Sequence, residues 1–272
     1  MPATYPTRIV CLTEETTETL YLLGEEARIV GISGFTVRPP RARREKPRVS
    51  AFTSAKIDRI IELRPELVLG FSDLQADIAA QLVRAGIEVH VFNHRSVGEI
   101  LRMIATLGGM VGCASKAEAL CEGLAAGLDE IRAAAAQFAR RPRVYFEEWD
   151  EPQISGIRWV SELIGLAGGE DCFPELAREP LGRNRIIADP LEVPRRAPDV
   201  ILGSWCGKKF QPGHVVARPG WSEVPAVRTG HLHEIKSSII LQPGPAALTD
   251  GVREIHRHLE SWCRVGKVGN RT

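Results

Sequence analysis

In the first third of the chain, short apolar, β-branched runs alternate with stretches whose apolar positions recur at helical spacing. Residues 8–12, 28–32, 67–70 and 89–92 form such runs and predict strands. Residues 16–23, 58–63 and 75–85 predict helices, ended by Gly24, by Pro65 and by Gly86. Strands apolar on both faces, separated by helices, belong to a parallel sheet covered on both sides. The plan returns later, with strands over 143–146, 200–203 and 231–235, a helix over 159–166 and a closing helix over 246–262. Between the halves lies 114–140, rich in Ala, Leu, Glu and Lys and free of internal proline, with Leu120, Leu124, Leu128 and Ile131 at helical spacing. This predicts one helix of about 25 residues, roughly 38 Å long at about 1.5 Å per residue.

The fold expected is therefore α/β: an N-terminal lobe over 1–113, a long rigid connecting helix over 114–140 and a C-terminal lobe over 141–272. The halves echo each other. Glu62-Leu-Arg-Pro65-Glu-Leu-Val-Leu-Gly70 parallels Arg195-Arg-Ala-Pro198-Asp-Val-Ile-Leu-Gly203, each a helix end, a proline, an acid and a buried strand running into glycine. Two such halves predict a cleft at the carboxyl ends of the strands, where open α/β sheets bind ligands.

Composition narrows the classes. With 44% hydrophobic and 25% charged residues the chain reads as an ordinary globular protein, and its formal net charge of +1 offers no general attraction for nucleic acid. The basic run from Arg38 to Lys46 is broken by prolines and reads as a solvated loop. No segment approaches the roughly 20 apolar residues that cross a bilayer, so no membrane insertion is expected. The first residues lack the features of a secretory signal, which predicts a cytoplasmic protein, or a periplasmic one if a precursor was trimmed. Six scattered cysteines, with no metal-ligand spacing, read as free thiols.

Several stretches together resemble the helical-backbone (class III) solute-binding proteins of ABC transporters, and the cobalamin-binding branch most. They are Arg8-Ile-Val-Cys-Leu-Thr-Glu-Glu-Thr-Thr-Glu-Thr-Leu-Tyr-Leu-Leu-Gly24, Val30-Gly-Ile32, Arg64-Pro-Glu-Leu-Val-Leu-Gly70, Ser161-Glu-Leu-Ile-Gly-Leu-Ala-Gly-Gly169 and Arg196-Ala-Pro-Asp-Val-Ile-Leu202. The resemblance implies two Rossmann-like lobes with central parallel sheets, joined by the helix, and one small molecule held in the cleft without catalysis. It also implies a permease partner whose arginines meet one carboxylate on each lobe; Asp77 and Glu223 are the candidates. No cofactor is implied, since a cobalamin-like corrinoid would be the ligand.

A residue just beyond a parallel strand's carboxyl end points toward such a cleft. This places Glu14, Glu15 and Thr16 after the first strand, Phe35 after the second, Phe52 before the helix at 58–63, Phe71 after the third and Asn93 and Arg95 after the fourth. The two glutamates also suit a helix N-terminus. In the second half Glu148 and Trp149 belong to a cluster, Glu147-Glu148-Trp149-Asp150, expected to follow the strand at 143–146. Arg158 and Trp159 enter the next helix, Trp205 lies between Gly203 and Gly207, and Lys236 follows the last strand. This mixed aromatic and charged set suits a large polar ligand with a flat ring, such as a corrinoid.

The alternative is a cytoplasmic enzyme or ligand sensor that reuses the fold for another polar metabolite. Glu147, Glu148, His94 and Cys206 carry the chemistry in that reading. His231 and His233 share a strand face, with no third metal ligand nearby in sequence. No phosphate-binding glycine motif follows a strand.

Overall fold

Aliphatic runs with no exposure set the first sheet. The computed structural model describes residues 4–268. Strands β1 (Ile9–Cys11), β2 (Ile29–Ser33), β3 (Arg48–Ser50), β4 (Leu67–Phe71) and β5 (Val89–Phe92) pair in the order β3-β2-β1-β4-β5, all parallel. Val10, Leu12, Val49, Ile60, Val68, Ile78 and Leu82 form a core on one side of this sheet. Strand β3 escapes the hydrophobic pattern because Val49 is its only apolar residue. The helix Val97–Met110 is also additional to those expected, and it buries Ile100, Met103, Ile104 and Leu107 along one face.

The second sheet has the order β10-β9-β6-β7, with β8 also on β6. Its strands are β6 (Arg143–Asp150), β7 (Gln153–Ser155), β8 (Glu170–Asp171), β9 (Val200–Gly203) and β10 (Leu232–Glu234). All pairs are parallel except β6 with β7, which turns back as a hairpin. Strand β6 thus runs four residues beyond the expected end at Phe146, and Glu147 to Asp150 lie within it rather than after it. Polar residues signalled an end there, but buried partners satisfy Glu147 and the strand continues.

By contact the chain forms two compact units. One reaches to His94 and takes in Gly98–Leu124; the other takes Arg95–Val97 and everything from Ala125 on. The helix expected over 114–140 spans Ala114–Ala135, so both units draw on it. It stops early, and Phe138 beyond it stacks on His256 at 5.2 Å with an interplanar angle of 7°. The closing helix Val252–Val268 follows a π-helical stretch, Ala247–Gly251.

The core of the second unit gathers around Tyr145, Phe173, Trp205, Phe210 and Trp221. Gly203, at the end of β9, has the Phe210 ring where a Cβ would stand. Gly203→Ala should therefore overpack the core and cost about 1–3 kcal/mol, seen as a lower urea midpoint with unchanged slope. A variant as stable as the parent would show that Phe210 is not held there.

Candidate functional site

In the first unit the carboxyl ends of the strands carry acids and aromatic rings. The helix Glu14–Leu22 starts two residues earlier than expected, so Glu14 and Glu15 occupy its first turn, 7% and 2% exposed. Ser33 donates to Glu14 at 3.3 Å and Thr13 to Glu15 at 2.5 Å. Burial raises both carboxyl groups; Glu15, with Glu14's charge beside it, reaches about 8 from an ordinary 4.5. Thr16 is fully buried and spends its hydroxyl on the Thr13 carbonyl.

Aromatic rings link three strand ends. The ring centroids of Phe52 and Phe71 are 6.4 Å apart, and those of Phe71 and His94 5.0 Å apart. Gln75, without exposure, staples the first two: it accepts the Phe71 N–H at 2.9 Å and donates to the Phe52 carbonyl at 2.8 Å. Phe71 and His94 are buried, Phe52 is half-buried and Phe35 is 57% exposed. Asn93 lines a cavity of about 270 Å³ with His90, His94, Arg102 and Met103. Arg95, half-buried, falls in the second unit.

In the second unit the acidic cluster divides by strand alternation. Glu147 has no exposure and accepts from Arg218 at 2.6 and 2.9 Å, from the Tyr145 hydroxyl at 2.9 Å and from the Trp205 indole at 3.0 Å. Burial first, and then the Glu147 charge, push the Tyr145 phenol well above its ordinary value. Glu148 is clamped by both terminal nitrogens of Arg185, at 2.6 and 3.0 Å, and Arg185 is itself 2% exposed and donates to the Ser155 carbonyl. Both carboxylates thus serve structure. Trp149 stays half-buried and Lys208 lies over its ring at 4.3 Å, over the Trp205 ring at 5.0 Å, and against Asp150 at 2.5 Å.

Trp205, between Gly203 and Gly207, is 3% exposed, its indole edge turned to Glu147 and its face under Lys208. Trp159 is also a core residue, donating to the Ile240 carbonyl at 2.8 Å. Arg158 is exposed and pairs with Glu162 one turn along its helix at 2.9 Å. Lys236 lines a cavity of about 320 Å³ at the ends of β9 and β10. Asp77 and Glu223 are exposed.

His231 and His233 do not form a metal site with their neighbours, since no group of three such ligands with metal-binding geometry occurs among the described residues. Instead His233 stacks on His258 at 4.0 Å, and burial lowers them to about 4 and about 3. Tyr145, Arg185, Arg218 and Gln75 carry the site's geometry without having stood out in the sequence. Arg185, Arg218 and Gln75 each meet a partner far along the chain, whereas Tyr145 meets Glu147 two positions on.

Residues 9–239 match the family model described as periplasmic binding protein. A vitamin B12-binding protein of Vibrio parahaemolyticus is 26% identical over 93% of this chain and 90% of its own. An ABC transporter substrate-binding lipoprotein of Bacillus subtilis is 25% identical over 92% of this chain and 79% of its own. In fold, a periplasmic heme-binding protein of Roseiflexus sp. RS-1 superposes with a TM-score of 0.77 at 23% identity, over 93% of this chain and 98% of the other. The family and these relatives are binding proteins rather than enzymes, as the non-catalytic reading expected. The cytoplasmic placement is corrected by the same matches: a family of periplasmic proteins, with a lipoprotein among the relatives, points outside the cytoplasm. That expectation leaned on the first residues of the sequence.

Two outcomes test this geometry. Arg218→Met leaves the Glu147 carboxylate buried without its counter-charge and should cost about 3–5 kcal/mol in denaturant unfolding. Adding Glu147→Gln should recover much of that loss; a cost below about 1 kcal/mol for the single variant would remove the pair from its central role. From pH 4.5 to about 8 the unfolded chain releases the Glu15 proton while the folded chain keeps it, so stability should fall as pH rises through that window. Glu15→Gln should flatten this decline in unfolding curves taken across the window, and an unchanged slope would contradict the burial of that carboxyl.

Proposed function

The chain belongs to the periplasmic binding protein family, and from that premise we propose that it carries a corrinoid, cobalamin or a close relative, to an ABC-transporter permease. The observation that carries this reading is the aromatic character of the strand ends. In a chain with only 6% aromatic residues, Phe35 is 57% exposed at the end of β2 and Phe52 is half-buried beyond β3. In the second unit the half-buried Trp149 lies near the end of β6. A corrinoid offers a broad apolar ring face edged by amides, and protein rings recognise such a face by stacking and dispersion while polar groups fix its edge. Asn93 and Arg95 are the polar groups assigned to that edge. The relative named for vitamin B12 supports the same class of cargo. The corrinoid is cargo, with no cofactor of the protein's own in this reading. Asp77 and Glu223, exposed acids, are the carboxylates we assign to the permease's arginines.

Thermal unfolding with a panel of cobalamin, cobinamide, heme and ferric chelates tests the reading. A corrinoid at about 100 times its dissociation constant should add about 2.7 kcal/mol of stability. Trp149→Ala should weaken its binding by about tenfold, which is about 1.4 kcal/mol. A flat response to every corrinoid would overturn the assignment.

A further inference from the structure

The cavity of about 320 Å³ in the second unit has a distinct electrostatic character. Three lysines line it, Lys208 and Lys209 from the loop after β9 and Lys236 from the end of β10, together with the hydroxyl residues Ser237 and Ser238. Lys208 is committed to Asp150 at 2.5 Å. Lys209 and Lys236 have no ion-pair partner among the described residues, and both are exposed. Glu234 is the one acid in the lining, and it accepts the Phe210 N–H at 3.2 Å. With Lys208 neutralised by Asp150, the cavity sets the ammonium groups of Lys209 and Lys236 against the single carboxylate of Glu234. Its floor is fixed, because Gly203 is packed under Phe210 and Trp205 is tied to Glu147.

We infer that this cavity is an anion subsite, in which Lys209 and Lys236 receive a carboxylate or phosphate group carried by the solute. Unpaired ammonium groups at a strand end gain most from an oxyanion that supplies the missing charge, and serine hydroxyls supply the hydrogen bonds that orient it. Lys208 plays a different part: held by Asp150 and laid over the two tryptophans, it closes the aromatic wall of the cavity and leaves the other two lysines to the ligand. This inference rests on the solute-binding reading above and adds to it that the cargo, or one arm of it, is anionic. On a corrinoid such a group is the phosphodiester of the nucleotide arm; on other tetrapyrroles it is a side-chain carboxylate.

The test is an amide NMR titration with inorganic phosphate and, separately, with acetate, on the parent and on the Lys209→Ala/Lys236→Ala variant. Both lysines are exposed, so the variant is expected to fold as the parent does. Saturable shifts confined to amides 207–209 and 235–238, lost in the variant, are expected, and the stronger of the two anions names the group. Absence of saturable shifts, or shifts of equal size in the variant, overturns the subsite. A second arm compares cobalamin with cobinamide, which lacks the nucleotide arm. The variant should weaken cobalamin by about tenfold or more and leave cobinamide unchanged if the phosphodiester is the group; equal weakening of both assigns the lysines to general structure and overturns the inference. Shifts with phosphate but no binding of any corrinoid would overturn the corrinoid reading while the subsite stands.

Discussion

A carboxylate sealed from water governs the second unit. Glu147 has no exposure, so its charge must be met inside the protein, and Arg218, Tyr145 and Trp205 all turn toward it. Removing one member of such a network leaves the others buried and unpaired, which fixes its geometry more firmly than apolar packing alone would. The consequences run outward. Trp205, tied at its indole edge, sets the start of the loop after β9; Phe210 closes that loop onto Gly203; Lys208 spans from Asp150 across two indole faces. The cavity at the ends of β9 and β10 is the outer surface of this arrangement.

The first unit reaches a similar end by weaker means. Its acids, Glu14 and Glu15, share a helix turn and rely on hydroxyl donors rather than on a bound arginine, so burial raises them and Glu15 holds its proton to about 8. Gln75 performs the tying role, joining the loop after β3 to the end of β4 through two main-chain contacts. Rigid strand ends with uncommitted side chains just beyond them are what a binding protein of this family needs, because a fixed site loses little conformational entropy when its ligand arrives.

How much of this was legible in the sequence depends on the range of the interaction. Strands β1, β2, β4 and β9 are buried on both faces, and their unbroken apolar runs announced them. Strand β3, with Val49 alone, did not, and β6 overran its expected end because Glu147 reads as polar but lies among distant partners. The helix Val97–Met110 carries a periodic signal in Ile100, Met103, Ile104 and Leu107, which the reading of alternating strands and helices leaves unassigned. At the site, position at or just beyond a strand's end is legible in the sequence for Glu14, Phe52, Phe71 and Lys236. Side-chain commitment was not: Glu148 is held by Arg185, 37 positions away, and Trp159 by Ile240, 81 positions away. Local sequence carries no trace of such pairings.

A solute held at the carboxyl ends of the strands, as proposed, would lie against the surface that the Glu147 network organises. Amide hydrogen exchange with and without cobalamin reads this contact, because bound ligand slows local opening where it touches the protein. Added protection is expected in the loops at 204–209 and 235–238 and in the strand-end loops of the first unit around Phe35 and Phe52. Protection confined to the opposite ends of the strands, around Glu66, Glu88 and Glu170, would contradict it.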